Sequence, residues 1–110
     1  MLSRAGFTDK ERALASQLRQ LLREPGLIRG SLVEMRRPCG KATCACATNP
    51  ARRHRSLYLA VSVRGQRRML YIPSAWEPRV RGWTEHYAEI RDVLEELSRQ
   101  YVQRLERRAE

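Results

Sequence analysis

Apolar residues recur with helical spacing near the N-terminus. The stripe there consists of Leu14, Leu18, Leu21 and Leu22. Thr8 and Glu11 stand three residues apart just before it, in the pattern of a capping box. Pro25 follows and cannot continue a helix. We therefore predict a helix over residues 9–24.

The middle of the chain alternates between apolar and polar residues, the spacing typical of strands. Strands are predicted at 30–37, from Ser56 to Arg64 and from Arg67 to Pro73. Gly65-Gln66 suits a two-residue type II′ hairpin turn.

This turn would set Arg64 opposite Arg67, Ser62 opposite Met69 and Ala60 opposite Tyr71. One face of the sheet would then carry Tyr58, Ala60, Ser62, Arg64, Arg67, Met69 and Tyr71. The other face, which we expect to be the core side, would carry Leu57, Leu59, Val61, Val63, Leu70 and Ile72.

A second helical stripe follows, in which the spacing alternates between three and four residues. Its members are Val80, Trp83, Tyr87, Ile90, Leu94, Leu97 and Tyr101. It predicts an amphipathic helix over 76–107, about 45 Å long at 1.5 Å per residue. The sheet cannot cover all of this length. The rest of the stripe packs either within the monomer or against a second copy, and the spacing leaves both open.

These elements predict an α+β fold in the order α-β-β-β-α. It would form a single domain over 1–110, with the three-stranded antiparallel sheet within 30–73. The loop between the first predicted strand (30–37) and the second (56–64) is called the β1–β2 loop. The chain has no apolar run long enough to span a membrane. Its first residues contain no apolar signal-peptide segment, so we expect a cytoplasmic protein.

Charge is concentrated in the middle of the chain. The net charge is +10, and residues 25–75 hold ten basic residues and a single acid, Glu34. A localised basic excess is typical of a surface that binds a polyanion. Most of these residues are arginine, whose fork matches phosphate oxygens and guanine edges. A merely solvated arginine-rich surface is the alternative.

The three cysteines lie within eight residues of one another, in the pattern Cys39-x4-Cys44-x-Cys46-x7-His54. Three thiolates and one imidazole form the closed tetrahedral donor set of a structural zinc site. We therefore predict Zn²⁺ in the β1–β2 loop. The alternatives are three reduced thiols, an iron–sulfur cluster, a catalytic thiol, or His86 as the fourth ligand. On the long helix, His86 is otherwise expected to be a surface or interfacial residue.

Several linked motifs resemble a small uncharacterised bacterial family, described as a domain of unknown function, whose members are often found near transposases. The shared residues are Cys39-Gly40-Lys41, Cys44, Cys46, His54, Tyr58-Leu59, Gly65, Tyr71-Ile72-Pro73, Trp83, Tyr87 and residues 94–98. The resemblance spans residues 29–105 and supports the metal set. Three segments depart from the family pattern. The loop from Cys46 to His54 carries extra arginines. His54 precedes Arg55-Ser56-Leu57 where the family has Gly-Pro-Tyr, and the hairpin has Gly65-Gln66 in place of Gly-Lys.

Binding of nucleic acid is the first functional hypothesis, with duplex DNA ahead of RNA. The predicted contacts are Arg36, Arg37, Lys41, Arg52, Arg53, Arg55, Arg64, Arg67 and Arg68, with Tyr58 and Tyr71 stacking on bases. Ordinary cross-strand packing is the alternative role for the two tyrosines.

The second hypothesis is an interaction adaptor, in which the long helix forms a homodimer or docks on a mobile-element protein. A dimeric DNA-binding protein would satisfy both hypotheses. We do not expect an enzyme, because residues 25–75 contain neither paired carboxylates nor a glycine-rich phosphate loop.

Overall fold

A computed structural model describes residues 8–38 and 40–107 and confirms the α+β fold in the predicted order. The helices are α1 (Asp9–Arg23) and α2 (Glu77–Arg107), and the strands are β1 (Gly30–Arg37), β2 (His54–Val63) and β3 (Gln66–Ile72). Short 3₁₀ turns lie at Ala45–Ala47, Pro50–Arg52 and Ser74–Trp76.

The capping box at the start of α1 forms as the sequence predicts. The Thr8 side chain accepts a hydrogen bond from the Glu11 backbone N–H at 3.1 Å, and the Glu11 carboxylate accepts one from the Thr8 N–H at 3.4 Å. These bonds satisfy two of the N–H groups that a helix start leaves without partners. The helix ends at Arg23, because the next residue, Glu24, is extended.

The three strands form one antiparallel sheet in the order β1-β2-β3. The hairpin between β2 and β3 differs from the prediction. Val63 pairs with Gln66, which leaves Arg64 and Gly65 as the turn. Both turn residues have positive φ, 52° and 80°, as a type I′ turn requires. The predicted type II′ turn and the pairing of Arg64 with Arg67 are therefore wrong.

Moving the turn by one position shifts the strand register by two residues. Tyr58 pairs with Tyr71, and Ala60 pairs with Met69. Side chains alternate between the faces with a period of two, so a two-residue shift leaves every residue that remains in a strand on its predicted face. Arg64, which was predicted to share a face with Tyr71, lies in the turn instead. The assignment of the two faces therefore holds although the cross-strand partners change.

The chain divides into two compact units. We call residues 28–84 the sheet unit, and residues 1–27 with 85–110 the helical unit. Helix α2 contributes residues 77–84 to the first and the remainder of its length to the second. The prediction of one domain over 1–110 stays a prediction. Within the described residues, no helix combines the length and apolarity that crossing a bilayer requires.

One face of the sheet carries the core of the sheet unit. Leu57, Leu59, Ile72 and Val80 are buried and form one cluster. Partly buried residues complete it, namely Ile28, Leu32, Val61 and Trp83. The first turns of α2 and the residues before β1 thus cover this face, and the backbone N–H of Ile28 donates to the Trp83 carbonyl at 3.1 Å.

The buried line of α2 in the helical unit differs from the predicted stripe. It passes through His86, Ile90, Val93, Gln100 and Arg104, all of which are buried. Of the predicted stripe, Val80 and Ile90 are buried and Trp83, Tyr87 and Leu97 are partly buried, whereas Leu94 and Tyr101 are exposed.

A buried ion pair lies in the helical unit. The Arg104 guanidinium donates to the carboxylate of Glu11, and both side chains are almost fully buried. Burial alone would raise the pKa of Glu11, but the hydrogen bonds from Arg104 and Thr8 outweigh it and leave this pKa lowered. The helix cap of α1 is thereby joined to the last turn of α2.

His86 lies at the other end of the helical unit, buried against the end of α1. Its two ring nitrogens are each 2.6 Å from a backbone carbonyl oxygen, Nδ1 from that of Gly26 and Nε2 from that of Leu21. A carbonyl oxygen only accepts, so both nitrogens must donate, and only the protonated imidazolium does this. The Gly26 and Leu21 carbonyls, helped by the charges of Glu24 and Glu89, raise the pKa of His86.

Replacement of Gly30 by alanine should destabilise the sheet, because its new Cβ would lie 2.8 Å from Val61 Cγ1 and 2.9 Å from the Ala60 carbonyl oxygen. Such overpacking costs about 1–3 kcal/mol. Urea unfolding measures the loss. Gly82→Ala is the control, because that position has open space and lies in α2. There the same change should stabilise by up to about 1 kcal/mol. Equal effects at the two positions would contradict the packing argument.

The pH dependence of stability should depend on His86. Its pKa in the folded state is raised above 6.5, so its contribution is complete below about pH 6.5 and is lost as pH rises through the raised value. His86→Gln removes the titrating group. We expect the free energy of unfolding of the wild type to fall more steeply than that of the variant as the pH rises above about 6.5. Parallel pH profiles would show that His86 is not held as the cation.

Candidate metal centre and basic surface

The loop between β1 and β2 is shaped by local hydrogen bonds. The Cys44 N–H donates to the Lys41 carbonyl at 3.1 Å, and the Ala47 N–H donates to the Cys44 carbonyl at 3.0 Å. The side chain of Asn49 then accepts from the Ala51 N–H at 3.0 Å, which caps the second 3₁₀ turn. These turns fold a polar loop back towards His54, the first residue of β2.

The folded loop brings three of the four predicted metal ligands together. The donor atoms of Cys44, Cys46 and His54 all lie within 4.8 Å of one another. The Cys44 sulfur is 3.3 Å from His54 Nε2. Cys46 is buried, Cys44 is partly buried and His54 is exposed. This Cys-Cys-His cluster is able to bind a metal ion.

The dimensions of the cluster agree with tetrahedral coordination. Zinc–sulfur bonds of about 2.3 Å and zinc–nitrogen bonds of about 2.0–2.1 Å place neighbouring donors about 3.5–3.8 Å apart. The separation of 3.3 Å between Cys44 Sγ and His54 Nε2 is close to this spacing, and no pair of donors in the cluster is more than 4.8 Å apart. Cys39, the fourth predicted ligand, lies outside the described residues. His86 is not a member of the cluster, and both of its ring nitrogens already face carbonyl oxygens.

The acidic residues of the sheet unit are both held by arginine. Arg55 donates to Glu77 at 2.6 Å and lies 3.1 Å from Glu34. The hydrogen bonds that Arg55 donates to Glu77 and then to Glu34 raise the pKa of Arg55. Arg36 lies 3.3 Å from Glu34, and Arg81 lies 3.9 Å from Glu77. Two of the predicted nucleic-acid contacts, Arg36 and Arg55, are therefore engaged within the protein.

The whole net charge of the chain lies in the sheet unit. Residues 28–84 contain twelve basic and two acidic residues, a net charge of +10, whereas the rest of the sequence contains ten of each. Within the described residues, seven predicted contacts are exposed and have no ion pair. They are Arg37, Lys41, Arg52, Arg53, Arg64, Arg67 and Arg68.

Strand alternation separates these cations into groups. Arg37 and Arg67 are in register with even-numbered residues of β2, on the face opposite the core. Arg68 pairs with Val61 and therefore belongs to the core side, at the edge strand. Arg64 lies in the hairpin turn, and the remaining three cations lie in the metal-cluster loop. The predicted basic residues therefore lie in several separate groups around the sheet and do not form one continuous surface.

The face opposite the core is open and partly aromatic. Tyr58 and Tyr71 form an edge-to-face pair with ring centroids 5.8 Å apart. This is the cross-strand packing that the sequence left as an alternative, yet 60% of Tyr71 remains exposed. Met69 on the same strand and face is 41% exposed. His54 has the same parity, so the metal cluster lies at one end of this face.

Sequence reasoning missed the partner of Arg55 and the cation above Trp76. Glu77 is 22 residues from Arg55, and no local pattern connects them. Arg79 lies 4.5 Å above the ring of Trp76, a cation–π contact that their spacing of three residues allows.

The chain matches a known family of domains. The family model described as Domain of unknown function (DUF6788) matches residues 9–82, more than half of the chain. No curated protein and no solved structure matches the chain. The match contains α1, the whole sheet, the metal cluster and the start of α2. The chain therefore belongs to the DUF6788 family of domains of unknown function.

Proposed function

We propose that the cluster binds a structural Zn²⁺ through Cys39, Cys44, Cys46 and His54. The support is the chemistry of the donors, since two thiols and an imidazole, the donor types of structural zinc sites, converge within 4.8 Å of one another. A closed site of four protein ligands leaves no position for a substrate, so the ion has a structural role. It would fix a polar loop that otherwise has only short 3₁₀ turns to hold it.

We further propose that the sheet unit binds nucleic acid. The observation that carries this proposal is its charge balance. Both acids of this unit are paired with arginine, and among the described residues nine exposed basic residues of the unit, including the seven predicted contacts, have no ion pair. A stable fold has no need of that excess, because like charges repel. A polyanion would neutralise it.

The location of the cations determines how a phosphate backbone would be held. Arg64 and Arg67 lie at the hairpin end of the sheet, and Lys41, Arg52 and Arg53 lie in the loop at its other end. Seven phosphate contacts on a duplex would give a slope of log affinity against log salt of about −6. Duplex DNA is the first candidate ligand from the sequence, and RNA is the second. We propose no catalytic role.

An adaptor role is the second candidate, and one observation favours it. Apolar side chains of α2 remain exposed in the helical unit, among them Leu94 at 48% and Leu105 at 75%. The sequence of this unit has no net charge, so a second copy would meet no net repulsion there. A homodimer through α2, or docking on a mobile-element protein, is compatible with nucleic-acid binding by the sheet unit.

Loss of a thiol ligand should release the metal. Cys44→Ser should reduce zinc, measured by elemental analysis, from one ion per chain to a small fraction. The melting temperature should fall by at least about 4–8 °C, the equivalent of about 1 kcal/mol. Thr43→Ser is the control and should keep the ion. Unchanged zinc content in Cys44→Ser would refute the site.

Removal of the hairpin cations should weaken binding in a salt-dependent way. Arg64→Ala with Arg67→Ala should reduce the salt slope for duplex DNA by about 2, one for each phosphate contact. Fluorescence anisotropy of the zinc-loaded protein measures this slope. Arg19→Ala with Arg91→Ala removes the same charge from the helical unit and should leave the slope unchanged. Equal losses in the two double variants would mean that net charge alone determines binding.

A further inference from the structure

We propose that the open face of the sheet selects single-stranded nucleic acid by stacking unpaired bases on Tyr71. This inference rests on the proposed function and names its ligand class. The open face is the face of the sheet opposite the core; Tyr58, Met69 and Tyr71 lie at its centre, Arg67 towards the hairpin, and Arg37 and His54 at the metal-cluster end.

Tyr71 presents an accessible ring to this face. Tyr58 meets it at an interplanar angle of 70°, and a single neighbouring ring covers at most one of its two flat sides. The exposure of 60% agrees with a largely uncovered ring. Tyr58 is partly buried and packs against Tyr71. This contact restricts the Tyr71 side chain before a ligand binds, so stacking of a base on Tyr71 costs little further side-chain entropy.

The surroundings of the ring suit a base and its phosphates. The two β2 residues diagonal to Tyr71 on this face, Ser56 and Ala60, have small side chains. Arg67 lies on this face at the hairpin end, and Arg37 lies at the metal-cluster end. Neither carboxylate of the unit shares the face, since Glu34 pairs with Leu57 on the core side and Glu77 begins α2. An apolar, aromatic centre is thus flanked by cations and free of acidic side chains.

A duplex would make little use of this arrangement. Its bases are stacked on one another inside the helix, so a flat sheet meets mainly phosphates. A single strand offers the flat sides of its bases, and aromatic side chains on a sheet bind them with little regard to sequence. The exposed ring therefore favours a single strand over the duplex that sequence alone places first.

An abasic oligonucleotide separates stacking from charge, because it keeps the phosphates and lacks the bases. Zinc-loaded, full-length protein is titrated in about 150 mM salt with oligothymidylate, oligouridylate, an abasic strand of equal length and a duplex. Fluorescence anisotropy reports each affinity. We expect both base-containing single strands to bind at least about tenfold more tightly than the abasic strand, and more tightly than the duplex. A difference between oligothymidylate and oligouridylate would identify DNA or RNA as the preferred strand.

Variants at the ring locate the effect. Tyr71→Leu keeps an apolar side chain opposite Tyr58 and should reduce single-strand affinity at least about fivefold, while the abasic strand binds as before. Tyr71→Phe retains the ring and should bind normally. Trp76→Leu removes a similarly exposed ring from outside this face and should also bind normally.

The outcomes distinguish the two proposals. If no strand binds in about 150 mM salt, nucleic-acid binding itself is refuted. If the abasic strand or the duplex binds as tightly as the base-containing strands, binding is electrostatic and the stacking inference is wrong, while the proposed function stands. The abasic comparison needs no variant, so a folding defect in Tyr71→Leu would not prevent a decision.

Discussion

Strand β2 is paired on both of its edges, and this constraint organises the whole sheet unit. A strand held on both sides cannot rotate, so its side chains must alternate strictly between two faces. Odd positions supply Leu57 and Leu59 to the core and point Arg55 at the two carboxylates. Even positions supply the metal-cluster residue His54 and the aromatic Tyr58. Packing and candidate chemistry are thus separated by the pleat of one strand.

Local signals were sufficient for the elements and for the division between faces. The capping box, Pro25 and the period-two alternation placed α1 and the strands within a few residues of their ends. The hairpin register was wrong because Gly65 fits both a II′ and an I′ turn, and only the backbone of the preceding residue distinguishes the two. The core pattern did not reveal the error, since a shift of two residues returns each side chain to the same face.

Long-range contacts could not be predicted in this way. The spacing of apolar residues shows that a helix is amphipathic. Which of those residues are buried depends on the element that packs against the helix, and the spacing does not identify that element. In the helical unit the covered line includes His86 and Arg104, because the Leu21 carbonyl and the Glu11 carboxylate give these polar groups partners. The metal cluster was predictable because its ligands lie close together in sequence. The ion pairs of Glu34 and Glu77 could not be predicted from local sequence, although they determine which basic residues of the sheet unit are left without an ion pair.

The hairpin turn places a non-glycine residue where left-handed backbone is needed. At φ 52°, Arg64 occupies a conformation that costs most side chains about 1–2 kcal/mol, and one that asparagine or glycine adopts more readily. The most stable version of this hairpin would therefore lack the cation at its tip. A search for thermally improved variants would replace Arg64 early. Under the proposed function, the more stable proteins that it selects would have lost one of the cations offered to a phosphate backbone at that end of the sheet.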